Sequence, residues 1–239
     1  MKKFVFLGLL ALIGIGFFSY KITLALFSDT TQSTSNTFTA SEFFPTPTPV
    51  LANHLVISEI QIATSGATTS DFIELYNPTS SLIDLNGIRL ARRARNAITD
   101  TLIKSFTTST IVSAHGYFLW AASDGGYANQ IGADTSTSVN IANNSSVALK
   151  VTSTDEVIDA VAWGSGHAVP LTESAAFVSN PSVGQSLERK ALSTSDATSM
   201  TSGTDVSKGN GFDANNNSTD FILRAISQPQ NTSSATESP

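Results

Sequence analysis

The sequence contains no cysteine among its 239 residues. This absence excludes a disulfide framework, a thiolate metal site, a cysteine nucleophile and a lipid-anchor cysteine. Charged residues are also scarce, at 13% of the chain, whereas Ser, Thr, Asn and Gly are abundant. Aromatic and β-branched residues occur in short runs, so the composition favours strands and turns over helices. We expect one folded domain, because both ends of the chain are poorly suited to packing in a core.

Basic residues are too few for general nucleic-acid binding. The formal net charge of the chain is −6. The first 25 residues contain three lysines and no acidic residue, so the remainder carries 10 basic and 19 acidic groups, a net charge of −9. A phosphate backbone requires a net basic face on its partner. We therefore expect any contact with a polyanion to be local.

The N-terminal segment has the pattern of an export signal. An uninterrupted apolar run over residues 4–18 follows Lys2 and Lys3. Its ~15 residues are short for a bilayer span and typical of a signal-peptide core. We expect residues 1–25 to form an apolar signal helix, so that the rest of the chain is secreted or displayed at the cell surface. The alternative is an uncleaved transmembrane anchor with Tyr20 and Lys21 at the membrane interface.

The stretch that follows this run strengthens the export prediction. Leu26-Phe27-Ser28-Asp29-Thr30 and then Asn36-Thr37-Phe38-Thr39-Ala40 resemble the signal region of Bacillus biofilm-fibre and camelysin-type proteins. The resemblance implies cleavage by an alternate signal peptidase near Thr23-Leu24-Ala25. Residues 26–52, which are rich in Ser, Thr and Pro, are then expected to be an exported linker. The alternating prolines of residues 45–49 favour an extended conformation.

Short strand-like segments separated by turns begin at His54. In the first segment, Val56, Ile60 and Ile62 are predicted to share one face, with Leu55 and Ile57 on the other. Further segments are predicted at residues 71–76, 82–85, 88–91, 101–106, 117–121, 147–151 and 157–163. Residues 221–223 are predicted to return as a terminal strand, because a free chain would expose their apolar side chains to water. This pattern predicts an all-β sandwich or barrel.

An ordered set of motifs carries a second resemblance. Val56-Ile57-Ser58-Glu59-Ile60, Asp71-Phe72-Ile73-Glu74-Leu75-Tyr76-Asn77 and Ile83-Asp84-Leu85-Asn86-Gly87-Ile88-Arg89-Leu90 come first, and similar motifs at residues 115–120, 157–164 and 185–189 follow. In this order they resemble the lamin-tail domain of bacterial exported proteins. The resemblance implies an immunoglobulin-like β-sandwich of about eight to nine short strands, without known catalytic residues. Filament assembly does not carry over, because the chain has no heptad rod.

The resemblance sets the expected domain boundaries. We expect the lamin-tail domain to span residues 53–226. Within it, residues 193–210 are predicted to be a mobile loop, because they are rich in Ser, Thr, Gly and Asp and have little to bury. Residues 227–239 are predicted to be a disordered tail.

Catalytic and metal-binding patterns are weak. Glu59 and Glu74 lie in predicted strands and form either an acid pair or two hydrogen-bonded or solvated strand positions. We favour the second interpretation, because no nucleophile or metal is placed beside them. No histidine has a metal-ligand spacing. Asp213, Asn215, Asn217 and Asp220 are weak calcium candidates, since the glycine and the closing glutamate of a calcium loop are missing. We therefore expect no catalytic residue, no metal and no cofactor.

One basic cluster is present. Arg89, Arg92, Arg93 and Arg95 provide four of the ten cations that follow residue 25. They are candidates for binding an anionic wall polymer, nucleic acid or lipid headgroups. The alternative is a solvated strand end and loop that prevents edge pairing.

These features predict a protein that is not an enzyme. We expect a binding or structural module, whose partner is a surface polymer or a protein and whose membrane contact is confined to residues 1–25. One alternative is a subunit of an extracellular fibre or matrix that polymerises through exposed edges. The other is an accessory to a hydrolase or nuclease, because lamin-tail domains in bacteria often accompany such enzymes. A hydrolase itself needs a further catalytic domain, for which this chain has no room.

Overall fold

The computed structural model describes residues 50–62 and 69–239. The expected signal helix and nearly all of the expected linker lie outside the described residues. Within the two described ranges, no helix is long and apolar enough to cross a membrane.

Short strands dominate the described part of the chain. They are β1 (Val56–Gln61), β2 (Phe72–Tyr76), β3 (Ile83–Asp84), β4 (Ile88–Arg93), β5 (Thr101–Ser105), β6 (Ile111–Val112), β7 (Tyr117–Ala122), β8 (Thr135–Thr137), β9 (Ser146–Val151), β10 (Val157–Ala162), β11 (Ser186–Arg189) and β12 (Phe221–Arg224). The helices are short: a 3₁₀ turn (Asp124–Gly126), α1 (Tyr127–Gln130), α2 (Ala197–Ser202) and α3 (Asn217–Asp220).

The strands form two large sheets and one small one. The six-stranded sheet has the order β12-β11-β1-β2-β7-β8, the four-stranded sheet has the order β10-β9-β4-β5, and β3 pairs with β6. All pairs are antiparallel except β7 with β8. The strand count of eight to nine was therefore too low, since the described residues form twelve. Strands β6, β8 and β11 were not among the predicted segments, because two to four residues are too few to show a clear alternation.

The main core lies between the two large sheets. The six-stranded sheet contributes Ile57, Ile73, Leu75, Phe118 and Trp120, and the four-stranded sheet contributes Leu90, Ile103, Val147, Leu149 and Val161. Each set alternates with residues on the opposite face of its strand, as sheet packing requires. The predicted all-β, immunoglobulin-like sandwich is confirmed.

Strand β1 departs from the predicted alternation. Ile57 and Ile60 both belong to the main core, whereas Val56 packs with Tyr76 and Tyr117 in a separate cluster. The pairing register with β2 shifts between Ile57 and Glu59. A β-bulge of this kind inserts one residue and reverses the faces that follow. The predicted division of apolar residues between the two faces of β1 was wrong for this reason.

Residues 193–210 contain a short helix where the sequence predicts a mobile loop. The side chain of Asp196 accepts hydrogen bonds from the backbone N–H groups of Thr198 and Ser199, and the side chain of Ser199 accepts one from the N–H of Asp196. This capping box satisfies orphan donors at the start of α2. Met200 anchors the helix, since its side chain is buried. Local hydrogen bonding therefore orders a segment that has little apolar surface.

The C-terminal part of the chain lies along the six-stranded sheet. Strand β12 pairs antiparallel with β11, in a register that sets Leu223 opposite Leu187. The predicted terminal strand is confirmed. Residues 227–239, predicted to be a disordered tail, instead lie against the six-stranded sheet through hydrogen bonds. Their polar composition conceals this docking, because no large apolar residue marks it.

Candidate binding face

Three glutamates form a row on the outer face of the six-stranded sheet, which points away from the core. Glu59 of β1 lies opposite Glu188 of β11 and opposite Glu74 of β2. All three side chains are buried. Glu59 and Glu74 were expected to be either a facing acid pair or hydrogen-bonded or solvated strand positions; they lie opposite each other and are hydrogen-bonded. Glu188 was not predicted, because only strand pairing brings β11 beside β1.

Hydroxyl groups of neighbouring serines bind these carboxylates. Ser58 Oγ donates to Glu74 Oε1 over 2.6 Å, and Ser186 Oγ donates to Glu59. Arg224 of β12 donates to Glu188 Oε1. Within the described residues, the buried Oε2 of Glu188 accepts no hydrogen bond. The row thus contains three carboxyl groups and one bound cation.

Residues 227–239, which we call the strap, cover this row. The backbone N–H of Gln228 donates to both carboxylate oxygens of Glu59 over 3.2 and 3.3 Å. The N–H of Gln230 donates to Glu74 Oε2 over 2.6 Å. The N–H of Thr232 donates to Asp134, whose nearer oxygen lies at 3.1 Å. The amides of alternate strap residues therefore point at carboxylates of the domain, and the strap turns at residues 232–233.

The far end of the strap binds a pair of tyrosines. Tyr76 and Tyr117 pack with their ring centroids 4.9 Å apart. Tyr76 donates its hydroxyl to the backbone carbonyl of Glu237, and Tyr117 donates to Glu237 Oε2 over 2.7 Å. Burial raises the pKa of both tyrosine hydroxyls. The hydroxyls therefore remain protonated donors at neutral pH.

Burial under the strap changes the acidity of the row. Desolvation, followed by the charge of Glu188, raises the pKa of Glu59 from 4.5 to about 8. Desolvation and the charge of Glu59 raise the pKa of Glu74 well above its ordinary value. The pKa of Glu188 is also raised by burial, although Arg224 opposes the change. The covered face therefore favours protonated glutamates.

The arginine cluster is largely engaged in ion pairs. Arg89 contacts Asp100 and Asp155, and Arg93 Nε donates to Asp100 Oδ1 over 2.7 Å. Lys150 Nζ, which the sequence analysis did not single out, lies 2.8 Å from Asp100 and 2.9 Å from Asp155. The remaining members separate from this network: Arg95 Nε donates to the carbonyl of Gly166, and Arg92 Nε is buried and has no hydrogen-bond partner in residues 50–62 and 69–239. The structure does not unite the four arginines on one free surface.

The calcium candidates are only partly brought together. Carboxylate oxygens of Asp213, Asp220 and Glu173 lie within 4.8 Å of one another. The side-chain oxygen of Asn217 accepts a hydrogen bond from the backbone N–H of Ala162, and its amide nitrogen donates to the carbonyl of Ala160 and, at 3.5 Å, to Glu173 Oε2. Burial, followed by nearby carboxylates, raises the pKa of Glu173 to about 9. Asn215 lies in the left-handed region at φ 54°. Asn217 thus ties the start of α3 to β10 by hydrogen bonds.

Residues 50–165 match the family model of the Lamin Tail Domain. No curated protein sequence matches the chain. A solved structure of a DUF4876 family protein from Bacteroides thetaiotaomicron has a similar fold, with a TM-score of 0.54 and 13% identity. The similarity covers 78% of this chain and 74% of that chain. Because the identity is low, this likeness shows the fold alone.

Proposed function

We propose that the chain, whose residues 50–165 match the family model of the Lamin Tail Domain, is an exported, non-catalytic binding module whose outer sheet face holds an extended polypeptide segment. The carrying observation is the strap. Its backbone N–H groups at residues 228, 230 and 232 donate to carboxylates of the domain. Recognition of an extended backbone at every second residue is a general mode of peptide binding.

The nature of the contacts supports an exchangeable segment. Residues 227–239 contain no aromatic residue and no Val, Ile, Leu or Met. The strap is therefore held by hydrogen bonds, whose net contribution is about 0.5–1.5 kcal/mol each, or about 1.5–3 kcal/mol with a charged partner. Ordering each residue costs about 1–2 kcal/mol of backbone entropy. The stabilisation from the hydrogen bonds and the entropy cost of ordering the strap are therefore similar in size. A competing segment with modestly better contacts can replace the strap.

The acid row supports a binding role over catalysis. Glu59 and Glu74 are the strongest acid pair that the sequence offers, and both carboxyl groups are buried beneath the strap and hydrogen-bonded to serines. A general acid or base must lie within reach of a bound substrate. The strap occupies that approach. We accordingly assign these side chains to segment binding, at the cell surface or outside the cell.

The test uses full-length protein in which the strap is released. Gln228→Pro and Gln230→Pro together remove two backbone donors without changing charge. Gln228→Ala and Gln230→Ala together form the matched control, because they shorten the same side chains and keep both N–H groups. A labelled synthetic peptide of residues 227–239 is titrated into each protein and followed by fluorescence anisotropy.

We expect saturable binding to the proline variant and at least tenfold weaker binding to the alanine variant, whose own strap competes. Glu74→Gln in the proline background should weaken binding. Absence of binding to the proline variant, with circular dichroism showing an intact β-fold, would refute the proposed function.

A further inference from the structure

A cavity of about 450 Å³ adjoins the strap. Its lining includes Glu188, Arg224 and Lys208 from the domain, and Gln230 and Glu237 from the strap. Its volume lies within the range of pockets that bind small ligands or side chains. The cavity therefore gives a segment on this face a place to insert a long side chain.

In the part of the chain that the structure describes, most charged groups around this cavity have a partner, but one carboxylate oxygen does not. Arg224 donates to Glu188 Oε1 and to the side chain of Gln228. Lys208 Nζ lies 3.5 Å from Asp205 Oδ1. Glu188 Oε2 is buried and accepts no hydrogen bond within the described residues, although an unpaired buried acceptor is costly. Within the described residues, Oε1 of Glu188 is therefore satisfied by Arg224, whereas Oε2 lacks a donor.

The strap does not supply this donor and adds to the imbalance. Residues 227–239 contain one acidic residue, Glu237, and no lysine or arginine. Glu237 Oε1 accepts a weak hydrogen bond from Gln230 Nε2 at 3.3 Å. Burial raises the pKa of Glu59, Glu74 and Glu188 beneath the strap. The strap thus brings a further carboxyl group and no cation to a face that already holds three buried glutamates.

We propose that the partner of this face is a basic extended polypeptide segment, which displaces the strap and places a lysine or arginine side chain in the cavity beside Glu188. The inference rests on the proposed function and names its partner class. The partner's backbone takes the place of the amides of Gln228 and Gln230, and its cation supplies the donor that Glu188 Oε2 lacks. The strap is then a weak resident segment that keeps the face covered until a basic segment arrives.

The experiment compares three synthetic peptides of residues 227–239 on the full-length protein with Gln228→Pro and Gln230→Pro. One peptide has the natural sequence, one carries Gln230→Lys and one carries Gln230→Glu. Position 230 is chosen because Gln230 lines the cavity with Glu188. We expect the lysine peptide to bind at least tenfold more tightly than the natural peptide, and the glutamate peptide to bind more weakly. The lysine advantage should shrink at about 0.5 M salt, where the screening length is a few ångströms.

Variants of the face provide the controls. Glu188→Gln in the proline background should reduce the lysine advantage at least threefold, whereas Glu156→Gln, at an exposed position remote from the strap, should leave it unchanged. A second measurement needs no opened variant: Gln230→Lys in the full-length chain should slow hydrogen exchange of the strap amides relative to Gln230→Ala.

The outcomes separate the two proposals. Equal affinities for the natural and lysine peptides, or a lysine advantage that Glu188→Gln does not change, would overturn the basic-partner inference and leave the proposed function standing. Binding of none of the three peptides by a folded proline variant would overturn both. Faster strap exchange in the Gln230→Lys chain than in the Gln230→Ala chain would also overturn the inference.

Discussion

Asp159 and Arg189 form an ion pair in which both side chains are fully buried, with Arg189 Nη2 2.8 Å from Oδ1 and 3.0 Å from Oδ2 of Asp159. Asp159 belongs to β10 in the four-stranded sheet and Arg189 to β11 in the six-stranded sheet. The backbone N–H of Ile57 in β1 donates to Asp159 Oδ2 over 2.5 Å, and Arg189 Nε donates to the carbonyl of Ile57 over 2.9 Å. The pair therefore links the two sheets.

We predict that Asp159→Ala lowers the free energy of unfolding by about 3–5 kcal/mol, because it leaves a buried guanidinium without its main counter-charge. Urea denaturation of the full-length protein measures this loss. Lys208→Ala is the control: its ion pair with Asp205 is partly exposed, so the loss should be at most about 1 kcal/mol. Similar losses in the two variants would contradict a role for the Asp159–Arg189 pair in joining the sheets.

Stability should fall as the pH rises through the neutral range. Burial raises the pKa of Glu59 from 4.5 to about 8, so the folded protein holds this proton more tightly than the unfolded chain does. The stability that this pKa shift contributes is fully present below about pH 4.5 and is lost as the pH rises through about 8. We predict that Glu59→Gln flattens this dependence and raises the denaturation midpoint at pH 8, by mimicking the protonated acid. Glu156→Gln should change neither the pH dependence nor the midpoint. An identical pH profile of stability in the wild type and both variants would disprove the prediction.

The closing strand should be essential to stability. Phe221 of β12 is 2% exposed, and the guanidinium of Arg189 lies 4.7 Å from its ring centroid. We predict that Phe221→Ala costs about 3–5 kcal/mol, as is usual for a buried phenylalanine. Ile226→Ala is the matched control, because Ile226 lies five residues later and is 77% exposed. Thermal melts of the two variants measure the difference in stability. Equal midpoints would mean that β12 contributes little to the fold.

Asp100 should limit any binding of polyanions by the arginine cluster. It contacts Arg89, Arg93 and Lys150. We predict that Asp100→Asn frees these cations, so that the protein elutes from a heparin column at higher salt than the wild type does, because each phosphate or sulfate contact releases counterions. Asp196→Asn makes the same charge change at an exposed helix cap and should elute with the wild type. Equal elution of all three proteins would leave the cluster as a solvated strand end.

The sequence by itself determined the class of fold and the main strands. In β9, alternation of Val147 and Leu149 with Ala148 and Lys150 predicts one face in the core, and the structure places both apolar residues there. The apolar cluster around Phe221 predicts a terminal strand, which the structure confirms as β12. Local periodicity and the cost of exposing apolar side chains are sufficient for both results.

Only the tertiary structure decided the composition of the candidate binding face. Glu59 and Glu74 are visible as strand residues, but the sequence does not show that Glu188 and Arg224 join them, because strand pairing between distant segments sets that register. The bulge in β1 reverses its faces without a glycine to mark it. The strap docks through backbone amides, which every residue except proline possesses, so its composition carries no signal for docking. Side-chain patterns thus specify the core, whereas the face depends on backbone hydrogen bonds and cross-strand register that exist only after folding.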